Sequence, residues 1–119
     1  MSIEGLSRLK VWMRAKDFAL LIYKKVLPSL PSEEKWNLNQ QLRRASLSIS
    51  ANIAEGYGRN STGDYRRFLQ IAAGSLFELQ TQIEIALNLN YISRDIFDNF
   101  FEKMKELDRM LLSLIKKIN

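Results

Sequence analysis

Gln41-Leu42-Arg43-Arg44-Ala45-Ser46-Leu47-Ser48-Ile49-Ser50-Ala51-Asn52-Ile53-Ala54-Glu55-Gly56-Tyr57-Gly58-Arg59 is the stretch whose reading decides the fold. Leu42, Ile49 and Ile53, with Ala45 between them, recur at helical spacing and mark one apolar face. Ser46, Ser48, Ser50 and Ala51 read as placed for size rather than for helix propensity, because small side chains let a neighbouring helix come close. Gly56 and Gly58 then predict a sharp exit from the helix.

The flanking sequence supplies three more helices. Leu9, Trp12, Ala15, Ala19, Ile22 and Val26 follow the helical period and predict a first helix over about 9–27. Leu27-Pro28-Ser29-Leu30-Pro31 ends it, since each proline disfavours helix at the residue before it. Ser32 reads as an N-cap, followed by Glu33 and Glu34, so the second helix is expected over about 33–55. Ser61 with Asp64 opens a third helix over about 61–89, whose inward stripe is Tyr65, Phe68, Ala72, Ser75, Leu79, Ile83 and Ala86. Ser93 and Asp95 open a fourth over about 93–117. Its seam of Phe97, Phe100, Met104, Leu107, Leu111, Leu114 and Ile118 alternates spacings of three and four.

Four amphipathic helices with short connections predict an all-α fold, an antiparallel up-down-up-down four-helix bundle in one domain spanning residues 1–119. A tight turn near Gly58 aligns the second and third helices as a hairpin. Asn52 is then expected opposite Tyr65, Ser48 opposite Leu69, and Ala45 opposite Ala72. Ala72-Ala73-Gly74-Ser75 would form the matching patch of small residues. Leu69, Ile71, Leu76, Phe77 and Ile85 fall outside the third helix's stripe, and Phe101, Met110, Leu112 and Ile115 beside the fourth helix's seam. This surplus predicts a homo-oligomer.

Composition narrows the function. Hydrophobic residues make up 46% of the 119, which excludes a disordered chain. Cysteine and histidine are absent, removing the thiolate nucleophile, the usual general base and the commonest transition-metal ligands. The start lacks the apolar core of a signal peptide, and no run approaches the roughly 20 apolar residues of a membrane span. These features predict a soluble cytoplasmic protein with no membrane role, cofactor, metal site or catalytic residue, and so not an enzyme. Glu55 and Glu78 could be read as paired carboxylates, but di-iron bundles need Glu-x-x-His pairs and no histidine is present. Asn52 is expected to bridge backbone near the turn, and Glu55 to pair with an arginine and fix helix register.

The formal charge of +5 is uneven. Residues 1–67 hold twelve Lys and Arg against six Asp and Glu, whereas residues 68–119 hold six against seven. Arg43, Arg44, Arg59, Arg66 and Arg67 form the best basic constellation. Arginine forks suit phosphate oxygens, and Tyr57 and Tyr65 could stack on an unpaired base. The competing reading ties Arg44 to Glu55 or Glu78 in a structural ion pair.

The chain resembles the bacterial four-helix-bundle family named for reading frames within intervening sequences of large-subunit ribosomal RNA genes. The resemblance rests on Val11-Trp12 and Ala15, on Leu42-Arg43-Arg44-Ala45, and on Ser48-Ile49 with Ala51-Asn52-Ile53-Ala54-Glu55-Gly56. Gly58-Arg59, Ser61, Phe68-Leu69, Ala72, Gly74-Ser75 and Glu78-Leu79 extend it, over about Leu9 to Ile92. The family is similar in fold to the accessory variability determinant of diversity-generating retroelements, a pentameric barrel of bundles with a basic surface for nucleic acid. The resemblance therefore implies a homopentamer and makes RNA or DNA binding plausible. Together these readings predict a non-enzymatic oligomeric scaffold or adaptor with a basic surface for RNA or DNA. The alternative is a protein–protein interaction module whose charge only maintains solubility.

Overall fold

Serine hydroxyls open three of the five α-helices in the computed structural model, which describes residues 1–118; Asn119, the last residue of the expected unit, lies outside them. Ser2 Oγ accepts from the Gly5 amide at 2.9 Å and starts α1 (Ile3–Ser7). Ser61 Oγ accepts from the Asp64 amide at 3.0 Å and starts α4 (Thr62–Asn88). Ser93 Oγ accepts from the Ile96 amide at 3.2 Å and starts α5 (Arg94–Lys117). Each satisfies one of the amides that a helix start leaves unpaired. The other two helices are α2 (Lys10–Leu21) and α3 (Leu38–Tyr57). The fold is all-helical, with no strand among the described residues.

The proline-rich connection differs from the sequence expectation in an instructive way. After Leu21 the chain widens into a π-helical turn, Ile22–Val26, where the Leu27 amide donates to the Ile22 carbonyl. A 3-10 turn, Leu27–Ser29, follows directly. Pro28 is accommodated there because the first turn of a helix needs no donor at that position. Leu27 thus stays helical despite preceding a proline, while Leu30, before Pro31, is extended at φ −78° and ψ 140°.

The second expected helix also starts later, at Leu38 rather than Glu33. Ser32–Glu34 is an isolated 3-10 turn. Glu34 explains the break: its Oε1 accepts from the Leu38 amide at 3.3 Å, while its Oε2 accepts from the Tyr91 hydroxyl at 2.8 Å. Tyr91 is itself fixed by the end of α4, where Asn90 takes the left-handed conformation at φ 63°. The Tyr91 amide then reaches the Ala86 carbonyl and the Asn90 amide reaches Leu87. This is the glycine-type helix stop, served here by asparagine.

The most extensive helix contact is between α3 and α4, with α2 against α3, α4 against α5 and α2 against α5 completing the packing. Phe18 meets Phe100 edge to face at 5.4 Å, and Arg14 meets Glu106, so α2 and α5 run in opposite directions. Ile22, Leu42, Ile49, Ile53, Leu69, Leu79, Ile83 and Leu111 are fully buried. Among the residues expected outside the stripe, Leu69 and Leu76 are in the core, whereas Ile71, Phe77 and Ile85 are exposed.

α3 and α4 run in opposite directions with a register that differs from the sequence alignment. Ser48 meets Ser75, not Leu69, through hydroxyls 2.9 Å apart, and Arg44 meets Glu78. The Ser48 partner thus lies six positions further along α4 than expected. Side chains lean toward their own helix N-terminus, away from the turn on α3 and toward it on α4. A residue of α3 therefore meets one further along α4 than backbone counting from the turn suggests. Ala45 and Ala72 are both fully buried.

The glycines divide by role. A Cβ on Gly56 would lie 2.8 Å from Phe68 Cβ and 3.1 Å from the Tyr65 carbonyl oxygen, so its absence permits the close crossing. Gly58 has an ordinary right-handed backbone, φ −79°, so the exit from α3 makes no use of glycine's conformational freedom. Gly74 is exposed, and a Cβ there would meet nothing within 4 Å. Gly56→Ala should therefore destabilise by about 1–3 kcal/mol through overpacking, even after the gain in helix propensity. Gly74→Ala should stabilise by about 0.5–1 kcal/mol. Denaturant melts giving both substitutions the same sign would contradict this division.

Candidate nucleic-acid interface

The turn between α3 and α4 spans only residues 58–61, so the end of one helix and the start of the next share one surface. Arg59 folds back onto that surface: its guanidinium lies 3.5 Å from the Glu55 carboxylate and 4.9 Å from the centre of the Phe68 ring. Arg67 lies 4.6 Å from the same ring centre. Phe68 is half-buried, so one ring carries two guanidinium groups. Cation–π contact holds an arginine in place while leaving its outward N–H groups to bind an anion. Arg66, half-buried, has no carboxylate within ion-pair distance among the described residues.

Arg43 and Arg44 stand apart from this group. Thirteen helical steps, about 20 Å of rise, separate Arg44 from Tyr57 at the end of α3, and Arg59 lies beyond that. Arg43 lies over the Tyr23 ring at 5.2 Å and donates from Nε to Asn39 at 2.7 Å, so it faces the π-helical turn that follows α2. Arg44 donates to Gln41 at 2.6 Å and to Glu78 at 3.3 Å across the α3–α4 contact. Both members of that ion pair are substantially exposed, so its net contribution is no more than about 1 kcal/mol. The five arginines thus separate into a hairpin group and two residues engaged mid-helix.

The two tyrosines expected near the arginines contact each other. Tyr57 and Tyr65 meet edge to face with ring centres 6.2 Å apart. Tyr65 is buried, and burial, with a smaller effect of the neighbouring Tyr57, pushes its hydroxyl above the ordinary value of 10.0. Tyr57 is half-buried, and its hydroxyl lies so close to Gly5 that a Cβ there would collide with it. The aromatic residue at the arginines is Phe68, which periodicity placed in the core. Its signal in the sequence was the run Arg66-Arg67-Phe68 directly after a turn bearing Arg59.

Asn52, Ser48 and Ser75 form a polar ladder between the helices. Asn52 Nδ2 donates to the Ser48 carbonyl at 2.8 Å and to Ser48 Oγ at 2.9 Å, and Ser48 meets Ser75. Asn52 therefore bridges one turn within α3 rather than the hairpin turn. Glu55 and Glu78 pair with different arginines and form no carboxylate pair with each other. No group of three or more acidic side chains that could hold a metal ion occurs among the described residues.

The hairpin and its flanking helices lie within the part of the chain, residues 7–113, that matches the 23S rRNA-intervening sequence protein family. The chain belongs to that family. This member is similar to a crystal structure from Bacteroides thetaiotaomicron VPI-5482, described as a protein with unknown function from the S23 ribosomal protein family. The two share 28% identity and superpose with a TM-score of 0.81 over 89% of this chain and 95% of the other. No curated protein matches this family member. Among the described residues, no helix is long and apolar enough to cross a membrane.

The raised Tyr65 hydroxyl has a measurable consequence. A neutral phenol favoured in the folded state contributes its stability in full below the unfolded value of 10.0. That contribution is lost as pH rises through the higher folded value. Denaturant melts at about pH 9 and about pH 11 should show the wild type losing more stability than Tyr65→Phe. Equal losses would place the alkaline sensitivity elsewhere.

Proposed function

We propose that this protein is a non-enzymatic, cytoplasmic scaffold that binds RNA or DNA through the phosphate backbone at its α3–α4 hairpin. The observation that carries the reading is that Arg59 of the turn and Arg67 of α4 hold their guanidiniums on the one Phe68 ring, with Arg66 next to Arg67 in the chain. An arginine held on a ring loses less freedom when it grips a phosphate than one extended into water. Tyr57, Arg43 and Arg44 contribute less, because each already serves a neighbour. Asn52, Glu55, Gly56 and Ser75 shape the hairpin that presents the arginines.

In this reading α2 to α5 close into an antiparallel up-down-up-down four-helix bundle, supported by the opposed directions of α3 with α4 and of α2 with α5. The bundle assembles into a homo-oligomer, a pentamer by family resemblance. Support for assembly is the exposure of Leu47, Ile71, Phe77, Ile85, Leu89 and Leu112, large apolar side chains that the single chain leaves in water. The same surface supports a second reading, a protein-interaction module without nucleic acid.

Gel shifts at two salt concentrations separate these readings. Affinity should fall with salt at a log–log slope of about −0.7 to −0.9 per phosphate contacted. Replacing Arg59, Arg66 and Arg67 together by Ala should weaken binding by about tenfold or more and flatten that slope. Salt-independent binding, or binding that the triple variant leaves intact, would contradict the hairpin as the interface.

A further inference from the structure

We infer that the cleft between the start of α2 and the end of α5 binds a di- or triphosphate group, carried by a free nucleotide or by the 5′ end of a strand. This goes beyond the hairpin reading and concerns a different surface. The cleft has a volume of about 630 Å3, and Arg8, Lys10, Arg14, Arg109 and Lys117 line it against one carboxylate, Glu106. The space is wide enough for a chain of phosphates and lies open to solvent, so the cations rather than enclosure would hold the ligand. Glu106 is already engaged, accepting from Arg14 Nη1 at 2.6 Å. Arg8, Lys10 and Arg109 pair with no carboxylate among the described residues.

The helix ends do not account for the charge. The positive end of α2, begun by Leu9 without a side-chain cap, lies beside the negative end of α5, so the two dipoles largely cancel. The side-chain cations therefore dominate the field. Several like charges facing one small space favour a ligand that brings several negative charges close together, which a di- or triphosphate does and an isolated phosphodiester does not. Leu9, Val11, Met110 and Leu114 supply an apolar floor beneath the cations, suited to the sugar or base attached to the phosphates.

The cleft and the hairpin flank the same short helix. Gly5 of α1 lies against Tyr57, and Met1, Ile3 and Leu6 line a hollow with Ala54, Tyr57 and Gly58. Arg8 and Lys10 follow directly and enter the cleft. A strand whose 5′ phosphates sit in the cleft would need only to cross α1 to reach Arg59.

Calorimetric titration of inorganic triphosphate into the whole chain at low salt tests the inference. Lys10 and Arg109 are exposed, so replacing both by Ala leaves the core untouched. Affinity for triphosphate should fall by about tenfold or more in Lys10→Ala/Arg109→Ala and by less than about twofold in Lys24→Ala/Lys25→Ala, which removes the same charge from exposed positions in the π-helical turn outside both sites. No binding by the wild type, or equal binding by the cleft variant, would overturn the site. Two oligoribonucleotides of one sequence, ending in 5′-triphosphate or 5′-hydroxyl, identify the source. A preference for the triphosphate end that disappears in the cleft variant assigns a strand end. Equal affinity for both strands, with triphosphate still bound, assigns a free nucleotide. Failure of the hydroxyl-ended strand to bind would count against the hairpin alone.

Discussion

Where α3 approaches the turn, the space that a side chain at residue 56 would fill is occupied by Phe68 and Tyr65 of α4. Much of the remaining architecture depends on that crossing. With Gly56 in place the two backbones come close enough for Ser48 and Ser75 to share a hydrogen bond. The partly buried polar groups between the helices are then satisfied locally, through Asn52 and Ser48. Such a ladder gains little net stability, because water would serve the same groups in the unfolded chain. Its effect is on register. Sliding one helix past the other would leave polar groups unpaired, which costs more than the bonds contribute.

Register in turn sets the surface chemistry. Phe68 sits nearly two turns beyond the start of α4, beside the last residues of α3, and there it holds both Arg59 and Arg67. The Arg59–Glu55 contact is exposed and screened, so it orients the guanidinium more than it stabilises the fold. The short loop and the start of α4 thus each carry a guanidinium group with restricted freedom. That is a suitable geometry for gripping phosphate, and it costs the core nothing, since Phe68 lies at the core's edge.

Much of the helical layout was legible in the sequence, for reasons visible in particular residues. The seam from Phe97 to Leu111 is buried as its spacing indicates, because a period of three and four admits only one helical face. Ser61 and Ser93 mark helix starts because a hydroxyl in that position replaces a missing carbonyl. Other features depend on contacts between distant residues and left little local trace. α1 is only five residues long and rests near Tyr57, which propensity cannot foresee. The late start of α3 follows from Glu34 being shared with Tyr91, 57 positions away. Ser46 is wholly buried with its hydroxyl turned to the Arg43 carbonyl, so its polarity is hidden within its own helix. The sequence could not pair Arg44 with Glu78 or Arg59 with Phe68 with certainty, because both contacts depend on how α3 and the turn lie against α4. The cations at the α2–α5 cleft come from opposite ends of the chain and became one group only through the packing of those helices.

The register of α3 on α4 is directly measurable because the chain has no cysteine. Paired cysteines at Ser48 and Ser75 would occupy positions whose side-chain oxygens now lie 2.9 Å apart, close enough for a disulfide with minor adjustment. Cysteines at Ser48 and Leu69 test the alternative register in the same helices. Under mild oxidation, gel mobility should report an intrachain cross-link in Ser48→Cys/Ser75→Cys and none in Ser48→Cys/Leu69→Cys. The reverse pattern would contradict the close crossing at Gly56 and the arrangement of arginines built upon it.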